Sequence, residues 1–345
     1  MESPVLMDVT LRDGAYLFDH NYPLDLFRDV AHLLDAAGVS YLEVGHGMSV
    51  GARDKGVFAA GERDVVYARA ARESVTQARL GMVALPRFAS AKDLEELRPY
   101  LDFIRVGTNA NAYEDAEELI AGAKKLGYEV FFQMIRTSRV PPRTAAKAAK
   151  WLQSQGVDVV YLVDSGGIWS PWEVRPYVEE ALAAVSIPLG IHAHDHLGTA
   201  LATTLEAIRI GCRWADGSLC GAGRGAGNAQ IELLAAHLVR LGLKPGLNEE
   251  VLAMASQRLA EFLPRETRGV SWQDYFPASL GIDVHPISFF LNVCREAGVS
   301  LPDYLRALSK RSGMVEIGES DLIAALEEVG GDARFLKERL GGKSA

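Results

Sequence analysis

Short apolar runs and amphipathic segments alternate eight times between Val5 and Leu219. The apolar runs are too short for helices and read as buried parallel strands, because both of their faces must be covered. They predict strands at Val5–Thr10, Tyr41–Gly45, Arg79–Leu85, Phe103–Gly107, Glu129–Ile135, Val157–Asp164, Ile187–His192 and Trp214–Leu219. The segments between them carry helical periodicity. Leu24–Ala37 places Leu26, Phe27, Val30, Leu33 and Leu34 on one stripe and stops at Gly38. Ala112–Leu126 and Thr144–Gln155 behave alike, each closing near a glycine, Gly127 or Gly156. Eight strand–helix units predict an α/β fold, a (β/α)8 TIM barrel, with a doubly wound open sheet as the alternative.

After Gly246 the strands cease. Helical segments at Asn248–Phe262, Pro286–Ala297, Leu301–Leu308 and Asp321–Val329 predict a helical C-terminal extension. The expected division is a catalytic barrel over 1–245 and a helical domain over 246–345 that completes the active site or binds a partner.

Polar side chains gather at the C-terminal ends of the predicted strands, the catalytic face of such a barrel. Arg12 and Asp13 follow the first strand, and Glu43 and His46 close the second. Asn109 follows the fourth, Arg136 the fifth, and Asp164 and Ser165 end the sixth. His192 and His194 stand at the seventh, and a glycine run ending in Asn228 follows the eighth. Residues two apart on a strand share a side, so both imidazoles aim at one place. Two histidines and a carboxylate, Asp13, are a common ligand set for a divalent metal with open positions. Arg12 beside it supplies a fixed positive charge for an anionic substrate or an enolate. The glycine run lacks the setting of a dinucleotide loop, because seven strands precede it. Asp195 and His196 either support the metal site or cap the next helix, and Arg224 either meets an anion or faces solvent.

Composition narrows the functional classes. The chain has 345 residues, 48% of them hydrophobic, enough for a barrel and a smaller domain. A net charge of −9 argues against a nucleic-acid partner, and no basic block suggests a membrane surface. Cys212, Cys220 and Cys294 are scattered and odd in number, so no disulfide framework is expected. Met1-Glu2-Ser3-Pro4 runs straight into a strand without a cleavable leader, and no run reaches the ~20 apolar residues of a membrane helix. A cytoplasmic location is the expectation.

Arg12-Asp13-Gly14, Glu43 and His192-Ala193-His194 together resemble the metal-dependent barrel superfamily of pyruvate aldolases, hydroxymethylglutaryl-CoA lyase and isopropylmalate-type synthases. Within it the chain is most similar to the 4-hydroxy-2-oxovalerate aldolases. The supporting stretches are Tyr41–Gly47, Tyr161–Gly167, Gly221–Asn228 and the late helical segment around Ser279-Leu280-Gly281. The resemblance implies that Asp13, His192 and His194 bind the metal, with Mn2+ first and Mg2+, Co2+ or Zn2+ as alternatives. It implies that Arg12 stabilises an enolate oxygen and that Glu43 holds a ligand or a water. Ser165 and Arg136 would contact the substrate, and Asn228 and Asp164 would support the metal site. The implied reaction makes or breaks a carbon–carbon bond between a pyruvate-type enolate and an aldehyde, with a 4-hydroxy-2-oxo acid as substrate. An acylating aldehyde dehydrogenase and a homo-oligomer are the implied partners. A Claisen-type synthase using a 2-oxo acid and an acyl-CoA is one alternative. A non-catalytic partner subunit is another.

Three positions depart from that family, one being Thr203, where many superfamily members have an asparagine in the helix after His-x-His. The family's acid/base histidine, two residues after Arg-Asp-Gly, is replaced by Tyr16. The tyrosines of its late helical segment are missing from Gly281–Pro286, where His285 stands instead. Tyr16 and His285 are therefore the candidates for proton transfer.

Overall fold

The computed structural model describes residues 3–57, 61–243, 246–263, 272–282, 287–311 and 317–341. His285 lies outside the described residues. Eight strands form a closed barrel, each pairing in parallel with the next in sequence. They are β1 (Val5–Asp8), β2 (Tyr41–Glu43), β3 (Arg79–Ala84), β4 (Phe103–Asn109), β5 (Glu129–Ile135), β6 (Val159–Asp164), β7 (Leu189–Ala193) and β8 (Trp214–Gly217). The β1–β8 pairing, Val5 with Trp214 through Asp8 with Gly217, closes the ring and rules out the open sheet.

Helices pack outside on their apolar stripes. Helix Leu24–Ala36 buries Leu26, Phe27, Val30, Ala31 and Leu34, as its periodicity requires. Helices Ala91–Leu97 and Pro171–Ala184 start from capping boxes, Ser90 with Asp93 and Ser170 with Glu173.

The barrel interior is layered. Tyr41, Phe103, Phe131 and Trp214 form an aromatic floor, with ring centroids 4.7 to 5.9 Å apart. Two residues further along these strands come Glu43, Arg105, Gln133 and Asp216, all buried, with Tyr161 of β6 beside them. A period of two puts each pair on the same inner side. Gly190 on β7 makes room for this layer, since a Cβ there would stand 2.6 Å from the Tyr161 ring.

Two predicted strand ends that bear on the site shift. β1 ends at Asp8, whose carboxylate accepts from Thr10 N at 2.8 Å and Thr10 Oγ1 at 2.9 Å. A one-turn helix, Thr10–Asp13, follows at once, so Arg12 and Asp13 stand on a helical turn rather than in a loose loop. β7 ends at Ala193, and His194 is held by an isolated bridge to Asn228.

The chain divides into two compact units, Met1–Gly269 and Val270–Ala345, later than the expected break after residue 245. Helix Glu249–Ala260 accounts for the difference, because it packs on the barrel. Asn248 N donates to Ala37 O at 2.8 Å, and Arg258 pairs with Asp29 at 2.8 Å. The second unit is helical, with Phe290, Val293, Tyr304, Leu305 and Leu326 in its own core. No helix among the described residues is long and apolar enough to cross a membrane. The three cysteines are free.

Candidate metal centre

Asp13, His192 and His194 converge at the C-terminal mouth of the barrel. All three are buried, and one ligand atom from each lies within 4.8 Å of the others. The imidazoles meet edge to face, with centroids 5.0 Å apart. Each Nδ1 is already engaged. His192 Nδ1 faces Asp216 Oδ2 at 2.8 Å, and His194 Nδ1 faces Gly227 O at 3.2 Å. A carboxylate and a carbonyl only accept, so both protons sit on Nδ1 and both Nε2 lone pairs are left for an ion. Asn228 Nδ2 donates to Asp13 Oδ2 at 2.7 Å, and Asn228 Oδ1 is buried with no hydrogen bond among the described residues. The donor set therefore fits a divalent cation.

Charge supports the same reading. Arg12 pairs with Asp13 and donates from Nε to Glu43 Oε2 at 2.7 Å. Arg105 bridges Glu43 Oε1 at 3.2 Å and Asp216 Oδ2 at 2.6 Å. Arg12 and Arg105 thus face the three carboxylates of Asp13, Glu43 and Asp216 in a buried site. Burial alone would raise the Asp13 carboxyl. Arg12 above all, with the Asn228 amide, outweighs it and holds Asp13 below the usual carboxylate range. Burial, reinforced by Arg224, pushes His194 well down, which keeps the imidazole neutral.

The loop after β8 reaches the centre because it carries glycine. A Cβ at Gly223 would stand 2.9 Å from Asp13 Oδ2, and Gly227 has φ +85° and lies against the Gly221 carbonyl. Arg224 turns toward the site rather than to solvent and donates to Ser165 O at 2.5 Å.

Of the predicted substrate contacts, Ser165 Oγ accepts from Arg136 N at 3.0 Å. Arg136 sits at φ +57° and donates from NH1 to Asn109 Oδ1 at 3.0 Å. These residues form one polar rim over β4, β5 and β6. Asp164 accepts from Ser138 Oγ at 3.0 Å and Trp169 N at 2.8 Å, so it ties down the loop after β6. Asp195 accepts from Ala200 N at 2.8 Å and caps the following helix.

Tyr16 lies half-buried on the 3-10 turn Gly14–Phe18, close enough to Arg12 to act on it electrostatically. Its ring meets His20 edge-on at 4.7 Å. His20 Nδ1 is 2.7 Å from His46 O, and His46 Nε2 is 2.9 Å from Asp64 Oδ1. His20 thus links the Tyr16 turn to the His46 backbone after β2.

Beneath the site, burial pushes Asp8 up to about 8, with Glu232 and Asp216 adding to the effect and the Thr10 hydrogen bonds opposing it. Unfolded aspartate titrates near ~4. Between those values the folded chain keeps a proton that the unfolded chain releases, so this group makes stability fall as pH rises from about 4 to about 8. Asp8→Asn should therefore gain on the wild type across that window. Urea midpoints at about pH 5 and about pH 8 check it, and a pH-independent difference would show that Asp8 is ionised in the fold.

Sequence reasoning missed Arg105, Gln133 and Asp216. Their signal was a charge or amide at an inward position of an otherwise apolar strand, as in Phe103-Ile104-Arg105-Val106 and Trp214-Ala215-Asp216-Gly217.

Residues 105–259 match the HMGL-like family model. The chain is 36% identical to an oxaloacetate decarboxylase of Mycobacterium tuberculosis over 90% of its length and 88% of that protein's. It is 36% identical to a 4-hydroxy-2-oxovalerate aldolase of Carboxydothermus hydrogenoformans, covering 73% of this chain and 78% of that one. An aldolase of the same name from Roseiflexus is 31% identical over 95% of both chains. Two solved structures share the fold at low identity. One is the HMG-CoA lyase of Brucella melitensis, with TM-score 0.64, 20% identity, and coverage of 76% of this chain and 99% of that one. The other is a carboxyl transferase domain of Rhizobium etli pyruvate carboxylase, with TM-score 0.75, 17% identity, and coverage of 96% and 61%. The chain is an enzyme of the HMGL-like family, a barrel lyase related to the 4-hydroxy-2-oxovalerate aldolases.

Proposed function

We propose that the protein is a divalent-metal-dependent aldolase acting on a 4-hydroxy-2-oxo acid, which it divides into a pyruvate enolate and an aldehyde. The observation that supports this most is the Asp13–His192–His194 cluster, with both Nε2 atoms left over and Arg12 beside it. Asp13, His192 and His194 would hold the metal, which supplies Lewis acidity for a 2-oxo acid; Mn2+ is the first candidate.

The chain's own residues do the rest. Glu43 and Asp13 occupy Nε and NH1 of Arg12, while NH2 carries no hydrogen bond among the described residues. That nitrogen is the donor for the oxygen on which enolate charge develops. The Arg136–Ser165–Asn109 rim orients the substrate carboxylate from the opposite strands. The family resemblance adds an acylating aldehyde dehydrogenase as the partner that takes the aldehyde, and self-association of the chain.

A second reading is decarboxylation of oxaloacetate, favoured by the extent of the match to the mycobacterial decarboxylase. Both reactions pass through the same enolate. They differ in their proton demand. Retro-aldol cleavage must remove a proton from the 4-hydroxyl, whereas loss of carbon dioxide from a carboxylate needs no such base. Tyr16→Phe is therefore expected to reduce aldol cleavage by at least ~100-fold and to leave oxaloacetate decarboxylation nearly unchanged. Equal rates of aldol cleavage in variant and wild type would remove Tyr16 from proton transfer.

The direct test is to incubate Mn2+-loaded protein with pyruvate in deuterated water and follow the methyl signal by NMR. Metal-dependent exchange is expected. Its absence, with no turnover of either 2-oxo acid, would overturn the enolate reading. Parallel assays with 4-hydroxy-2-oxovalerate and oxaloacetate then separate the two substrates.

A further inference from the structure

Arg105 occupies a place that barrels ordinarily fill with branched apolar side chains. It rises from β4 into the interior and is fully buried, its guanidinium 4.4 Å above the Tyr161 ring. A buried guanidinium is costly unless each of its donors finds an acceptor. Here NH2 donates to Asp216 Oδ2 at 2.6 Å on β8, and NH1 is ion-paired with Glu43 Oε1 at 3.2 Å on β2 without hydrogen-bond geometry. With its amide oxygen turned inward, Gln133 of β5 accepts from Nε and NH2. One side chain thus ties four other strands together just below the metal centre.

Both carboxylates it grips touch the reacting layer. Asp216 Oδ2 also takes the Nδ1 proton of His192 at 2.8 Å. Glu43 also takes the Nε proton of Arg12 on its other oxygen at 2.7 Å. We infer that Arg105 and Asp216 are positioning residues: one buried guanidinium fixes the metal ligand His192 through Asp216 and the enolate donor Arg12 through Glu43. Arg105 does not itself meet substrate, because its side chain is 0% exposed, whereas that of Arg12 is 13% exposed. Lysine cannot replace it, since a single ammonium cannot satisfy two carboxylates and an amide held at fixed angles. The inference rests on the metal-dependent reading of the site.

Asp216→Asn and Arg105→Lys test it. An asparagine can present its NH2 to His192 Nδ1, which drives the ring proton to Nε2 and blocks the lone pair a metal needs. Mn2+ affinity is measured by calorimetry on variants shown to be folded by near-UV circular dichroism. The expected result is a Kd raised at least ~10-fold, and up to ~100-fold, in each variant. Arg105→Lys should in addition raise the KM for pyruvate in the exchange assay, through Glu43 and Arg12. A purely structural role would lower Tm and leave the Mn2+ Kd of the folded variant within 10-fold, which would overturn the inference. If neither variant folds, 15N NMR of the metal-free wild type reads the His192 tautomer: a proton on Nδ1 supports the proposal and a proton on Nε2 refutes it. A wild type that binds no Mn2+ at all would instead refute the metal-dependent reading on which this rests.

Discussion

His192→Ala combined with His194→Ala is expected to abolish metal binding and, with it, enolate chemistry. The wild type should hold one divalent ion per chain, because Asp13, His192 and His194 form the cluster at the barrel mouth. Removing both imidazoles leaves Asp13 alone, already engaged by Arg12 and Asn228. A lone carboxylate with an internal cation is a poor divalent site. Lewis-acid stabilisation of several kcal/mol corresponds to roughly 10³-fold in rate, so pyruvate exchange should fall by at least that much. The fold should survive. Asp216 keeps Arg105 as partner, and Gly227 O loses only a neutral hydrogen bond. Elemental analysis of the variant beside the wild type decides the matter, and unchanged metal content would sink the assignment of these ligands.

The sequence made the barrel legible because its signal is repeated. Eight apolar runs set the sheet, and the residues after them set the catalytic face. The candidate metal cluster was legible because Arg12-Asp13 and His192-Ala193-His194 are local motifs whose geometry follows from one turn or one strand end. Where the chain turns was harder to see. Asp8 ends β1 through side-chain bonds to Thr10, and nothing in the run Val5–Thr10 separates a turn-forming aspartate from a strand residue. Arg105 and Asp216 were hidden for a different reason. Their meaning lies in partners 62 and 111 residues from Arg105, Glu43 and Asp216 respectively, which only barrel closure brings together. The boundary of the second unit was obscured because helix Glu249–Ala260 follows the last strand without a break in helical pattern, yet packs on the first unit.

Arg12→Lys is expected to retain the fold and the metal and to lose at least ~100-fold of turnover, the scale seen when one oxyanion donor is removed. Lysine keeps the charge that balances Asp13, so metal content should stay near that of the wild type. It cannot keep the geometry. Arg12 donates from Nε to Glu43 while NH1 holds Asp13, and this fixes the plane in which NH2 is presented. An ammonium on a flexible stem must choose among the two carboxylates and the substrate oxygen. The Arg12 side chain is only 13% exposed, so the fold of the lysine variant is read alongside its chemistry. Metal analysis, near-UV circular dichroism and the pyruvate exchange rate together read the result. Near-wild-type exchange in a metal-loaded variant would show that Arg12 serves the ion pair with Asp13 and not the enolate. Loss of metal along with activity would show that its main part is to keep the Asp13 carboxylate ionised and in place. Loss of exchange with metal retained places the guanidinium at the developing charge.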